Sequence, residues 1–318
     1  MIKTEAVHFF PSPYEVLDPL RYADHLRTTS IETKRRLHTA FCGLPIKNDC
    51  CVVVVGSAGK GEGYLNMKPE VEVWQPPNNP STYLSDLYTK HHGIPFSTRF
   101  LVSTNGARAP SPDRVLNTGL VYGDGDVFWR LKQQIIEKIA SDSPSGQETR
   151  TDMDRQLNSY LQCLQTGKHN GHLAFMEISR EHDDAQSSLP DGLRDKPVVQ
   201  FYDGKHVFGF DPVLKLIQGL LDKVVVDALR NGSLSIEDAI QMPPNTIEKM
   251  DLLSSASFIP PIGEVKSAYL WLLKETHRAQ DISRRMGDEE IGVRYSPGWI
   301  NSQFDPIYQW ITNINRIN

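Results

Sequence analysis

Glu70 and Glu72 are the residues of this chain whose type and spacing point most directly to chemistry. In Glu70-Val71-Glu72-Val73 the two-residue period of a strand sets both carboxylates on one side and both valines on the other. The eight positions from Gly56 to Gly63 precede them with four glycines and one lysine. A backbone of that composition turns sharply and can aim several N–H groups at one anion. Gly56, Ser57, Gly59, Lys60 and Gly61 therefore form a candidate phosphate cradle. Paired acids facing it would draw a hard divalent cation, Mg2+ or Mn2+, that bridges carboxylate and triphosphate oxygens. Two such cations sit about 4 Å apart, which calls for acids fixed on a rigid strand. The chemistry suggested is metal-assisted transfer of a nucleotidyl group, with Glu70 and Glu72 as catalytic and metal-binding residues. The bland alternative is a tight turn followed by a half-exposed strand.

Two other glycine motifs do not fit. A P-loop sets four residues between its first glycine and a Gly-Lys pair followed by Ser or Thr, whereas Lys60 stands between Gly59 and Gly61. The dinucleotide fingerprint needs unequal glycine spacing and a following helix; Gly59, Gly61 and Gly63 are evenly spaced and no clear helix signal comes after them.

The elements that must hold these residues can be read from periodicity. Cys51 to Val55 is apolar without interruption, as in a strand covered on both faces. Residues 13–26 and 31–41 read as helices, the second capped by Ser30 and carrying Lys34, Arg35 and Arg36, a basic cluster that reads first as a solvated face. Residues 82–92 read as a helix, 97–103 as a strand and 105–113 as a loop. Residues 126–140 carry Val127, Leu131, Ile135 and Ile139 at helical spacing. The Ser-, Pro- and Gly-bearing run 141–152 reads as a linker. Beyond it lie helices over 153–164, 211–230, 235–240, 246–255, 263–286 and 304–314, and a hairpin of 198–201 with 206–210 around Asp203-Gly204. Asp211-Pro212 and Asp305-Pro306 read as helix starts, and Asn231-Gly232 as a helix end. The histidine pairs His91-His92 and His169/His172 read as structural or solvent groups. His277 and Arg278 fit either a cleft or a helix surface.

The run Gly56-Ser57-Ala58-Gly59-Lys60-Gly61-Glu62 resembles the glycine-serine signature of the nucleotidyltransferase fold. The likeness is to the branch of nitrogen-regulatory uridylyltransferases, glutamine-synthetase adenylyltransferases and bacterial effector AMPylases. Weaker similarities follow in Leu120-Val121-Tyr122-Gly123-Asp124, in Gly192-Leu193-Arg194-Asp195, and in 268–273 with His277, Arg278 and Gln280. The resemblance implies an α/β (α+β) fold, a nucleotidyltransferase-like mixed sheet with flanking helices plus a C-terminal helical domain. It implies divisions at 1–48 (helical segment), 49–145 (nucleotidyltransferase-like domain) and 146–318 (mainly helical domain). It also implies transfer of a nucleoside monophosphate, AMP above others, from ATP or UTP to an acceptor hydroxyl, on a protein or a small molecule. Glu70 and Glu72 would take the places of the family's paired aspartates. The sequence departs from that pattern in three ways. Both acids are glutamates, the stretch from Ser57 to Glu70 is about two residues longer than is usual in the branch, and no third acid is evident, with Asn117 near where one is sought. Asp113, Asp124 and Asp126 are loop candidates for it. The departures keep open a fold reused for metal-independent chemistry, with a glutamate as general base, or a silent binding module.

The 318 residues suffice for one large or two modest domains. A net charge of −5 supplies no basic field for nucleic acid, so nucleotides, proteins or small molecules are the expected partners. Cys42, Cys50, Cys51 and Cys163 show no metal-binding spacing and read as reduced thiols. No run reaches the roughly 18 apolar residues of a membrane span, and Met1 to Glu5 does not open a signal peptide. The expected location is cytoplasmic, or a host cell into which the protein is delivered.

Overall fold

The structure, a computed structural model, describes residues 19–42, 50–63, 69–74, 97–100, 112–166, 168–169, 172–173, 198–202, 206–207, 210–285, 291–294 and 297–317. The elements run in chain order as α1 (Pro19–Phe41), β1 (Cys51–Val55), α2 (Gly56–Lys60), β2 (Glu70–Trp74), β3 (Ser97–Phe100), α3 (Pro112–Leu116), β4 (Gly119–Gly123), α4 (Gly125–Ala140), α5 (Pro144–Thr166), β5 (Lys168–His169) and β6 (His172–Leu173). They continue as β7 (Val198–Tyr202), β8 (His206–Val207), α6 (Asp211–Arg230), α7 (Ile236–Gln241), α8 (Thr246–Ser255), α9 (Gly263–Arg285), β9 (Ile291–Arg294) and α10 (Pro297–Ile317). The class is α+β. Contacts divide the chain into two units, one of Met1–Asp24, Arg155–Leu220 and Leu253–Asn318, the other of His25–Asp154 and Leu221–Leu252.

The second of these units holds the glycine run and the glutamates. Its sheet has the order β3-β2-β1-β4 and is mixed: β1 pairs antiparallel with β2 and β4, while β2 pairs parallel with β3. Strand alternation sorts its faces as the sequence requires. Val52, Val54, Val71 and Val73 join Leu37 and Phe41 of α1 in one apolar cluster. On the opposite face Trp74 stacks on Phe128 of α4 with ring centroids 5.7 Å apart. Each of these buried side chains contributes roughly 1.5–3 kcal/mol of burial, and the sheet face they cover fixes where the glutamates must go.

The first unit carries the β5-β6 pair and a sheet of order β8-β7-β9. The predicted hairpin is present as β7 and β8, with Phe201 opposite Val207 and Tyr202 opposite His206. Strand β9 joins the other edge of β7, so this half is not purely helical. His277 is buried there and hydrogen-bonded to the hydroxyl of Tyr22, which makes it an interior group. His169 and His172 are register partners in the β5-β6 pair.

Several expected boundaries are corrected. Helix α1 runs unbroken through Thr28, Thr29 and Ser30, because burial of Thr29 and of Leu26 and Leu37 outweighs weak local stop signals. The run 141–152 is a helix start: Ser143 Oγ accepts the N–H of Gly146 at 3.2 Å and Pro144 occupies the first turn of α5, so Ser143-Pro144 here caps a helix. Helix α10 begins at Pro297, and Pro306 lies inside it. Burial of Ile307, Trp310, Ile311 and Ile314 offsets the backbone bond that proline removes. Asp124 caps α4 by accepting the N–H of Asp126 at 2.7 Å, which assigns both aspartates to a helix terminus. The predicted helix 82–92, the loop up to 111 and His91-His92 lie outside the described residues.

Candidate functional site

Register decides how the glycine run meets the glutamates. Val55, the last residue of β1, pairs with Glu70, the first of β2, so the residue that follows Val55 must lie beside Glu70. That residue is Gly56, with φ +63°, a left-handed conformation that side chains disfavour. A Cβ placed on it would stand 3.5 Å from Glu70 Oε2. The cradle and one acid therefore share a corner of the sheet.

The segment after Gly56 is a short helix, α2, where the sequence suggested an open turn. Gly61, at φ +72°, ends it, with Gly61 N–H on Ala58 O at 3.2 Å and Glu62 N–H on Ser57 O at 2.8 Å. Gly59 is required for packing: a Cβ there would collide with the Asn117 carbonyl and stand 2.8 Å from that of Val54. Of the five predicted cradle residues, Ser57 is exposed, whereas Gly59 and Lys60 are buried, Lys60 at 9 % exposure. The far end of the turn is tied down by Asn245 Nδ2, which donates to Lys60 O at 3.1 Å, and by Thr246 N–H, which donates to Glu62 Oε1 at 2.9 Å.

Glu70 and Glu72 lie on one face, as the period demanded, but their surroundings differ. Glu72 is 6 % exposed, and its Oε2 accepts the indole N–H of Trp74 at 3.2 Å. Its Oε1 is held by the guanidinium of Arg114, on α3. The same guanidinium stands 3.8 Å from Glu70 Oε2, and the Glu70 side chain is 42 % exposed. The position in register with Glu72 on β3 is Arg99, not an acid. Asn117 is buried and engaged elsewhere, its Nδ2 donating to Asp222 Oδ2 at 2.9 Å and its Oδ1 accepting from Lys249 Nζ at 2.5 Å. Lys249 also donates to Asp222 Oδ1 at 2.6 Å, closing a buried three-residue network beneath Gly59.

A divalent cation needs several oxygens around it. Among the described residues no group of three or more His, Cys, Asp or Glu side chains gathers for one. With Arg114 where it stands, a two-cation arrangement over both glutamates does not fit. Glu70, whose side chain is 42 % exposed, is the one of the two glutamates that could offer an oxygen to a single Mg2+ or Mn2+, an ion often bound by one or two carboxylates. Of the basic cluster, Arg35 pairs with Glu32 at 2.9 Å, and Lys34, whose Nζ lies 3.3 Å from a Cβ built on Gly119, is half-buried and pushed below its ordinary range by desolvation. Cys51 is buried and its thiol is pushed up to about 12, which makes it unreactive.

Sequence reasoning did not find Arg114, Lys132, Asp222 or Lys249. Nothing local marks Arg114. Lys132 and Asp222 did leave a signal: each is a charge within an apolar helical stripe, Lys132 between Phe128 and Ile135, Asp222 between Leu221 and Val225. No model of a known protein family matches this chain, and no curated protein does.

Proposed function

We propose that this chain carries a nucleotidyltransferase-like site that transfers a nucleoside monophosphate, AMP in the first instance, from a nucleoside triphosphate to an acceptor hydroxyl, on a protein side chain. The observation that carries the reading is the corner where Gly56 opens α2 beside Glu70 Oε2. There the exposed Ser57 hydroxyl and the glycine-rich backbone from Gly56 to Gly61 meet the β and γ phosphates. Glu70 holds the cation, with Glu72 and Arg114 behind it. When bound, Mg2+ or Mn2+ neutralises phosphate charge. The acceptor oxygen forms its bond to the α-phosphorus in line, the bond to pyrophosphate breaks, and the acceptor proton passes to solvent. Rate comes from positioning and electrostatics. The mixed sheet with flanking helices is compatible with the nucleotidyltransferase-like fold, which remains part of the proposal.

A second reading, a nucleotide-binding module without transfer, is favoured by one observation: Arg114 already compensates the charge of Glu72. Both are tested by incubating the purified chain with labelled ATP or UTP, Mg2+ and a lysate, alongside direct nucleotide binding. Label transfer abolished by Glu70→Gln supports the first reading. Nucleotide binding with no label transfer supports the second, and absence of both rejects the two together.

A further inference from the structure

Glu72 is an ionisable group in an apolar setting, in register with Val53 on β1 and beside Trp74. A charged carboxylate so placed is costly unless paired and hydrogen-bonded, and Arg114 supplies that pairing. Arg114 sits on α3 with Val115 and Leu116 buried beside it, which anchors its backbone, while its side chain remains 24 % exposed. Its guanidinium contacts Glu72 with one nitrogen and approaches Glu70 with another, spanning the carboxylates that alternate strand positions set roughly 7 Å apart. Any cation bridging those carboxylates needs the same space. The guanidinium therefore leaves that space only by displacement.

We infer that Arg114 is an internal counter-cation that competes with divalent metal for Glu70 and Glu72, so that withdrawal of its guanidinium raises metal affinity. The inference rests on reading the acid pair as the cation site of the proposed nucleotidyl transfer. One positive charge against two negative ones leaves room for one further cation, at Glu70. Metal affinity of the resting protein is accordingly low, and an acceptor or nucleotide that draws Arg114 away raises it.

The test is Mn2+ binding to the full chain without nucleotide, followed by loss of the free-ion electron paramagnetic resonance signal, with thermal melts in parallel. Arg114→Met is expected to bind Mn2+ at least ~10-fold more tightly than wild type, to lose that gain on adding Glu70→Gln, and to melt at higher temperature with Mn2+ while wild type does not move. Because Arg114→Met leaves Glu72 unpaired and can fold poorly, Arg114→Lys is measured beside it. Lysine keeps the charge without the planar fork, and intermediate Mn2+ affinity is expected. Equal affinity in wild type and Arg114→Lys, or a gain in Arg114→Met that survives Glu70→Gln, overturns the inference. Binding of a fluorescent ATP analogue in chelator is read separately: if it persists when the Mn2+ prediction fails, the counter-cation idea falls and nucleotide recognition stands.

Discussion

Replacing Lys132 with methionine is expected to stabilise the protein at neutral pH, by an amount that shrinks as the solution becomes alkaline. Lys132 lies on α4 at 2 % exposure, its Nζ 5.5 Å from the ring centre of Trp129 and 6.0 Å from that of Phe128. Among the described residues no carboxylate pairs with it. Burial first, and then the charge of Lys249, lower its ammonium from an ordinary 10.5 to about 7. The unfolded chain keeps that proton up to about pH 10.5, whereas the folded chain releases it near 7. Between these values the unfolded state binds more protons, so stability rises with pH; below them both states are protonated and the whole penalty is present. At ~1.36 kcal/mol per pH unit the gap amounts to about 5 kcal/mol as a ceiling. Attraction to the two rings, worth ~1 kcal/mol, and local water lower the expected gain from Lys132→Met to about 2–4 kcal/mol. Methionine has a similar length and no charge, so packing is retained. Urea denaturation of both proteins from about pH 6.5 to about pH 9.5 measures the difference directly. A variant less stable than wild type at neutral pH, or a difference that stays constant across the range, refutes the reasoning.

Two further substitutions separate packing from chemistry around the glycine run. Gly59→Ala is expected to lower stability by about 2–4 kcal/mol in a thermal melt, since its Cβ meets backbone carbonyls that cannot yield, whereas Ala at the exposed Ser57 should stay within ~0.5 kcal/mol. In the network beneath it, Asp222→Leu or Lys249→Met alone leaves a buried partner uncompensated and is expected to cost about 3–5 kcal/mol. The double replacement should recover part of that loss in urea titrations, short of the ~1–3 kcal/mol that the stranded Asn117 amide costs; a double variant as weak as the sum of the singles would count against the pairing.

Much of the local architecture follows from residue order. The unbroken Cys51 to Val55 run, the Glu-Val-Glu-Val alternation and the stripe Val127, Leu131, Ile135, Ile139 each give an element that is present with nearly the expected limits. Helix α8 begins and ends where Thr246 and Ser255 suggested, and Gly232, at φ +76°, follows α6 as a helix-ending glycine should. Less legible were signals that depend on competition. Ser143-Pro144 could start a helix or open a linker, and burial along α5 selects the helix. Pro306 could begin α10 or interrupt it, and the apolar face from Phe304 to Ile314 carries the helix across.

The chain by itself determined that two glutamates share a strand face behind a glycine-rich run, because strand period and glycine content are properties of adjacent residues. Tertiary structure decided what those residues meet. Antiparallel register brings Gly56 to Glu70, the Asn117 carbonyl requires the glycine at 59, and folding delivers Arg114 to the carboxylates from 42 positions beyond Glu72. Contacts of that reach depend on the packing of whole elements, and no local spacing encodes them.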